Sequence, residues 1–139
     1  MIKVSKETEY ALICLVKFVQ DNNKYSAREL AEYFNIPFEL LAKILQKLSQ
    51  NGILRSIHGP QGGYMFEKPA HSINLGRLLQ ILENPVETVS CLTHRNCRQS
   101  KKCNIRQNME HIHHVVNDYF FSLTLEDFIA RKSAAIGDR

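Results

Sequence analysis

The chain has 139 residues, 44% apolar and 23% charged, with a formal charge of +4 at neutral pH. That length accommodates one domain with a core of its own, without disulfide or metal staples. The mild positive charge permits an anionic partner and does not require one. Met1–Glu7 lacks the apolar stretch of a secretion signal, and Lys17 interrupts the apolar run from Ala11 to Val19, far short of a membrane span. The expectation is a cytoplasmic chain that does not enter a membrane. In that compartment the four cysteines serve as ligands, redox groups or core fillers rather than as disulfides.

In chain order, Ser5 is placed to cap a first helix, with Glu7 and Glu9 at its positive end. Along it Tyr10, Ala11, Cys14, Leu15, Phe18 and Val19 recur at helical spacing, and Asp21-Asn22-Asn23 stops it. Cys14 lies inside that stripe and reads as a small buried hydrophobe. Ser26-Ala27-Arg28-Glu29 is a capping box that opens a short second helix with Leu30, Ala31 and Phe34 inward. Asn35-Ile36 turns the chain, and Pro37 suits the first position of a third helix. That helix turns Leu40, Leu41, Ile44, Leu45 and Leu48 inward and ends at Asn51-Gly52. Ile53–Ile57 and Tyr64–Glu67 read as strands around a hairpin loop, His58-Gly59-Pro60-Gln61-Gly62-Gly63. A helix over Leu75–Leu82 follows. After a segment without apolar period, Ile105, Met109, Ile112, Val116, Tyr119 and Leu123 fall at alternating spacings of four and three, the seam of a short coiled coil. Thr124-Leu125-Glu126-Asp127 offers the cap of a last short helix.

The expected fold is therefore mainly α with a small β-hairpin. A winged helix-turn-helix spans residues 1–83, a cysteine-containing segment 84–104, and a dimerisation helix with a C-terminal helix 105–132. In such a plan the second helix of the pair fits the major groove of DNA, and the hairpin reaches the adjacent minor groove or the phosphates. The reading-helix candidates are Phe38, Glu39, Ala42, Lys43, Gln46 and Lys47; Lys43 and Lys47, four apart, share a face. Ser26 and Arg28 are candidates for a phosphate at a helix N-terminus. The wing candidates are Arg55, Ser56, His58, Gln61 and Tyr64. The other use of such a fold is protein contact alone, with the lysines as a solvated face. No nucleophile–base pair, phosphate loop after a strand or paired carboxylates point to an enzyme.

Cys91, Cys97 and Cys103 repeat at intervals of six. Thiolates are the ligands of iron–sulfur clusters, and three on one loop can converge on one. The gaps are longer than zinc-finger knuckles. Arg95, Arg98, Lys101, Lys102 and Arg106 would offset the negative charge of gathered thiolates. On chemistry alone three readings stand: an iron–sulfur cluster, a zinc site of three cysteines and a histidine, and plain surface thiols. His111 and His114 share a helix face and are further metal candidates; with His113 they also read as polar positions flanking the seam.

Several stretches together resemble the bacterial regulators IscR, NsrR, RirA and CymR. These are Ile36-Pro37-Phe38-Glu39-Leu40-Leu41, Ile44-Leu45-Gln46-Lys47-Leu48, Asn51-Gly52-Ile53-Leu54 and Ser56-Ile57-His58-Gly59-Pro60-Gln61-Gly62-Gly63-Tyr64. Thr8-Glu9-Tyr10-Ala11-Leu12, Ile73-Asn74-Leu75 and Leu123-Thr124-Leu125-Glu126-Asp127-Phe128 fit as well, so the likeness spans nearly the whole chain. It implies a homodimer, paired through the long helix, that binds palindromic double-stranded DNA under control of a cluster (2Fe–2S or 4Fe–4S) on Cys91, Cys97 and Cys103, and that senses nitric oxide, redox state or iron. Two positions depart from the pattern: His58 stands where Arg is usual in the wing, and Ala42 where IscR carries Glu. Arg106 stands where IscR-like members place a ligating His, and it has no free lone pair. This brings the chain closer to NsrR and RirA, in some of which an acidic residue on the first helix of the other subunit is the fourth ligand. Glu9 stands at that position; it reads equally as a first-turn residue favoured by the helix dipole.

Overall fold

The computed structural model describes residues 3–83 and 97–130. Three helices come first: α1 (Lys6–Asp21), α2 (Ala27–Phe34) and α3 (Phe38–Gln50). Strands β1 (Leu54–Ile57) and β2 (Gly63–Phe66) pair antiparallel, with Leu54 opposite Phe66 and Ile57 opposite Gly63. A 3-10 turn at Ala70–Ser72 leads into α4 (Leu75–Glu83). A long helix, α5 (Arg106–Phe121), and a short one, α6 (Leu125–Ala130), complete the described chain.

The helix boundaries follow from local chemistry. Ser5 caps α1 by accepting from the Thr8 N–H. Ser26 and Glu29 form the reciprocal capping box of α2, with hydrogen bonds of 2.9 and 3.1 Å. Thr124 and Asp127 repeat it for α6 at 2.9 and 3.1 Å. Asn22 and Asn35, at φ 46° and 54°, end α1 and α2 in the left-handed conformation that asparagine tolerates better than most residues. Pro37 sits one place earlier than expected. Its extended backbone makes it the N-cap of α3, and Phe38 becomes the first helical residue.

The core is one cluster drawn mainly from α1, α2, α3 and α4. Ala11, Cys14, Leu15 and Phe18 of α1 meet Leu30 of α2, Leu41, Ile44, Leu45 and Leu48 of α3, and Leu78 of α4, all essentially inaccessible to water. Fully burying a side chain of this kind stabilises by roughly 1.5–3 kcal/mol, so this cluster is what makes the helix-turn-helix a rigid body.

The long helix ends earlier than its apolar period implied. At Phe121 the chain leaves the helix axis. Leu123 O accepts from Leu75 N at 2.8 Å, Leu125 N donates to Ile73 O at 2.8 Å, and Asn74 bridges to Thr124. Leu123 is thereby taken off the helix and packed, half-buried, against the core. Where α5 crosses α4 the contact is backbone-close. A Cβ on Gly76 would lie 2.6 Å from the Phe121 ring.

That contact sets an expected outcome. Gly76→Ala gains about 1 kcal/mol of helix propensity, whereas overpacking against a ring fixed at its Cγ costs roughly 1–3 kcal/mol. The variant should therefore unfold at lower urea concentration than the native chain. Adding Phe121→Ala should recover part of that loss.

Candidate nucleic-acid interface

The turn between α2 and α3 buries Ile36, and this fixes the two helices as a pair. The outer face of α3 carries Glu39, Lys43, Gln46 and Gln50, all exposed, with Ala42 half-buried beside them. Phe38 is 47% exposed at the helix start, and the Arg28 guanidinium lies 5.4 Å from its ring centre. That contact holds Arg28 beside the reading helix, in cation–π geometry. Lys47 does not share the environment of Lys43. Its Nζ turns back towards α1 and stands 3.4 Å from Glu7 Oε1.

The wing is tied to the helix pair by a contact the sequence reading missed. Tyr25 N donates to Tyr64 O at 3.0 Å, and Tyr64 N donates to Tyr25 O at 2.8 Å. This two-way pair adds one bridge to the edge of β2. It requires glycine at position 63, where a Cβ would lie 2.7 Å from Tyr25 O. Lys24 Nζ also donates to the Gln61 carbonyl at 2.5 Å, gripping the hairpin tip. The available signal was an aromatic residue just ahead of the Ser26 cap, too short a stretch to read as a strand.

Arg55, Ser56, His58 and Gln61 are exposed on the hairpin, and Tyr64 is half-buried. Gly59 at φ 109° makes the tip turn possible. Between wing and α3 lies a polar groove of about 550 Å³, lined among others by Ser26, Gln46, Gln50, Ser56 and His58. Lys24, Arg28, Lys43 and Arg55 form no salt bridge among the described residues. A groove partly lined by polar side chains, with exposed Lys43 and Arg55 near it, matches the chemistry of a phosphate backbone.

The cysteines fall elsewhere. Cys91 lies outside the described residues. Cys97 and Cys103 are free thiols, half-buried, at either end of a turn held by Ser100 N to Cys97 O at 3.2 Å and Lys102 N to Gln99 O at 3.0 Å. Arg98, Lys101 and Lys102 are exposed on that turn. Such a donor set fits a thiolate-bound cofactor. Glu9 is engaged by Lys6 at 2.8 Å on the first turn of α1. Among the described residues no three of His, Cys, Asp or Glu are gathered as a metal site. His113 pairs with Asn117 at 2.9 Å, and its ring stands 5.8 Å from that of His114. Cys14 is a core residue, its thiol pushed up to about 12 by burial.

Ile105, the N-cap of α5, and Ile112, Val115 and Tyr119 on the helix are about half-exposed, while Met109 and Val116 are half-buried. Beside this stripe an open apolar groove of about 700 Å³ runs over Leu12, Ile13 and Val16 of α1, Tyr33 and Phe34 of α2, and Phe128 of α6.

Residues 4–131 match the Rrf2 family, described as an iron-dependent transcriptional regulator. The chain belongs to the Rrf2 family. The regulator NsrR of Oceanobacillus iheyensis is 31% identical over 139 aligned positions, covering 92% of this chain and 90% of its own. Among solved structures, CymR, the global cysteine regulator of B. subtilis, superposes with a TM-score of 0.73 at 24% identity, covering 94% of this chain and 98% of its own. IscR of T. potens superposes with 0.68 at 20% identity, covering 99% and 93%. At such identities these likenesses establish the winged-helix fold. The family assignment makes this chain a DNA-binding transcription regulator rather than an enzyme. No helix among the described residues is long and apolar enough to cross a membrane.

Two outcomes follow for this Rrf2-family chain. Gly63→Ala should part the wing from Tyr25, lowering affinity for duplex DNA while the helical circular dichroism stays unchanged. Cys14 should resist iodoacetamide at pH 8 in the native chain and react only after unfolding. Because its folded thiol ionises later than the unfolded one, its contribution to stability is complete below about pH 9 and is lost as pH rises towards 12. A Cys14→Ala chain should show a shallower alkaline fall in its urea midpoint.

Proposed function

We propose that the chain is a homodimeric, cytoplasmic repressor whose grip on palindromic DNA depends on an iron–sulfur cluster (2Fe–2S or 4Fe–4S), and that it reports nitric oxide, redox state or iron supply. The observation that carries this reading is the even spacing of Cys91, Cys97 and Cys103, two of them free and half-buried on the turn that leads into α5. When bound, the cluster supplies a centre that nitric oxide or oxygen can damage. Glu9 of a second copy is the proposed fourth ligand, an oxygen donor that is readily displaced.

The protein's own part is geometric. The exposed stripe of Ile105, Ile112, Val115 and Tyr119 needs an apolar partner, and the groove over Leu12, Ile13 and Val16 provides one on a second copy. Pairing through α5 places two α3 helices on one duplex, and a palindromic site requires them roughly 34 Å apart. Phe38, Glu39 and Lys43 meet base edges or phosphates. Ser26 and Arg28 hold the backbone at α2, and Arg55, Ser56, His58, Gln61 and Tyr64 follow it along the wing. His58 is a weaker phosphate contact than an arginine, which always carries its charge, would be. Holding the thiolates of the 91–103 segment together fixes the start of α5 and with it the separation of the reading helices.

The test is purification without oxygen. The expected material is a brown dimer containing iron and sulfide that binds palindromic duplex. Titrating nitric oxide should bleach it and weaken DNA binding in step. Cys97→Ala should be colourless with an unchanged circular dichroism spectrum. Colourless native protein containing zinc would replace the cluster by a structural metal, and DNA affinity unaffected by cluster loss would remove the switch.

A further inference from the structure

The surface of α3 has three stripes. Leu41, Ile44, Leu45 and Leu48 face the core and are fully buried. Glu39, Lys43, Gln46 and Gln50 are exposed and polar. Between them runs an apolar edge. Phe38 and Ala42 stand four residues apart and so lie one above the other on the helix. Ala42 is half-buried, and nearly half of Phe38 remains open to water.

Phe38 is also held in place. Pro37 precedes it as the N-cap at φ −54°, so the helix starts from a residue whose backbone is locked by its ring. The Arg28 guanidinium stands 5.4 Å from the Phe38 ring centre. Arg28 is exposed in the first turn of α2 and forms no salt bridge among the described residues. One contact thus joins a cation suited to phosphate to an apolar ring at the start of the reading helix.

The ring offers a base edge no donor and no acceptor. In the major groove the base edges present donors, acceptors and one apolar group, the C5 methyl of thymine. The first residues of a reading helix are the ones that reach base edges. We propose that Phe38, backed by Ala42, is a specificity-determining residue that recognises a thymine methyl in each half-site. This deepens the DNA-binding reading above and rests on α3 being the major-groove helix. Arg28, on a phosphate of the same half-site, fixes how far the ring stands from the bases. Covering one methyl is worth about a four-fold gain in affinity, and two protomers on a palindrome give about fifteen-fold.

The test uses the full-length protein purified without oxygen and a duplex that it selects from a randomised pool. Each thymine of one half-site, with its symmetry mate, is replaced in turn by deoxyuridine, which lacks only the C5 methyl. At one position the exchange should weaken binding by about fifteen-fold. Phe38→Ala should bind the selected duplex more weakly and lose nothing further to that uracil, with its circular dichroism unchanged. Arg55→Gln, a change on the wing, should weaken binding and keep the whole uracil loss. Phe38→Leu keeps an apolar side chain of shorter reach and should retain part of the loss; it decides the matter alone if Phe38→Ala does not fold. A half-site in which no uracil weakens binding overturns the proposal. So does a uracil loss in Phe38→Ala, or in Phe38→Leu where that variant decides, equal to that of the native chain. A native chain that binds no duplex at all removes the DNA-binding reading and this proposal with it, whereas binding that ignores uracil removes the proposal alone.

Discussion

The wing stands where it does because two backbones meet. Tyr25 and Tyr64 exchange both of their main-chain hydrogen bonds, and Gly63 lets the strands approach closely enough to do so. An isolated two-stranded hairpin is marginal in water. Here the hairpin is held at its edge by Tyr25, at its tip by Lys24, and at its base by Leu54, which is buried in the core beside α3. The polar groove between α3 and the wing has its shape from these three ties. Without them the exposed residues of the hairpin would have no fixed relation to the face of the reading helix.

The helical framework was legible because its rules are local. The Ser26–Glu29 capping box, the asparagines that close α1 and α2, and the apolar spacing of α3 each act within a few residues. The Tyr25 bridge was not legible, because a single bridging residue has no period to betray it. Leu123 misled for the opposite reason. It continues the spacing of the long helix, yet a pairing with residues 73–75, far back in the chain, takes it off the helix and packs it, half-buried, against the core. The candidate DNA contacts were readable as a set of positions on α3 and the hairpin. Which of two similarly spaced lysines is exposed was not, since it depends on Glu7, forty residues from Lys47.

Two kinds of surface divide the molecule. One is polar, with unpaired cations on α2, α3 and the wing. The other is apolar and runs along α5 and the groove over α1 and α2. This exposed aliphatic and aromatic surface is the one that the proposed pairing of copies would cover. The separation matters for a regulator, because assembly and nucleic-acid contact then draw on different residues. The link between them is covalent, since residues 84–105 join α4 to α5 in sequence.

The way α5 is fastened turns it into a lever. Its C-terminal end is pinned by Phe121 against Gly76 and by the Leu123–Leu75 hydrogen bond, whereas no residue of the helix is buried in its own domain. Sixteen residues of helix make an arm of about 24 Å from that fulcrum to the end beside Cys103. A sideways shift of about 2 Å at the thiol end corresponds to a swing of about 5° over such an arm. In the proposed dimer, chemistry at sulfur would thereby change the angle between protomers without any change inside the reading domain itself.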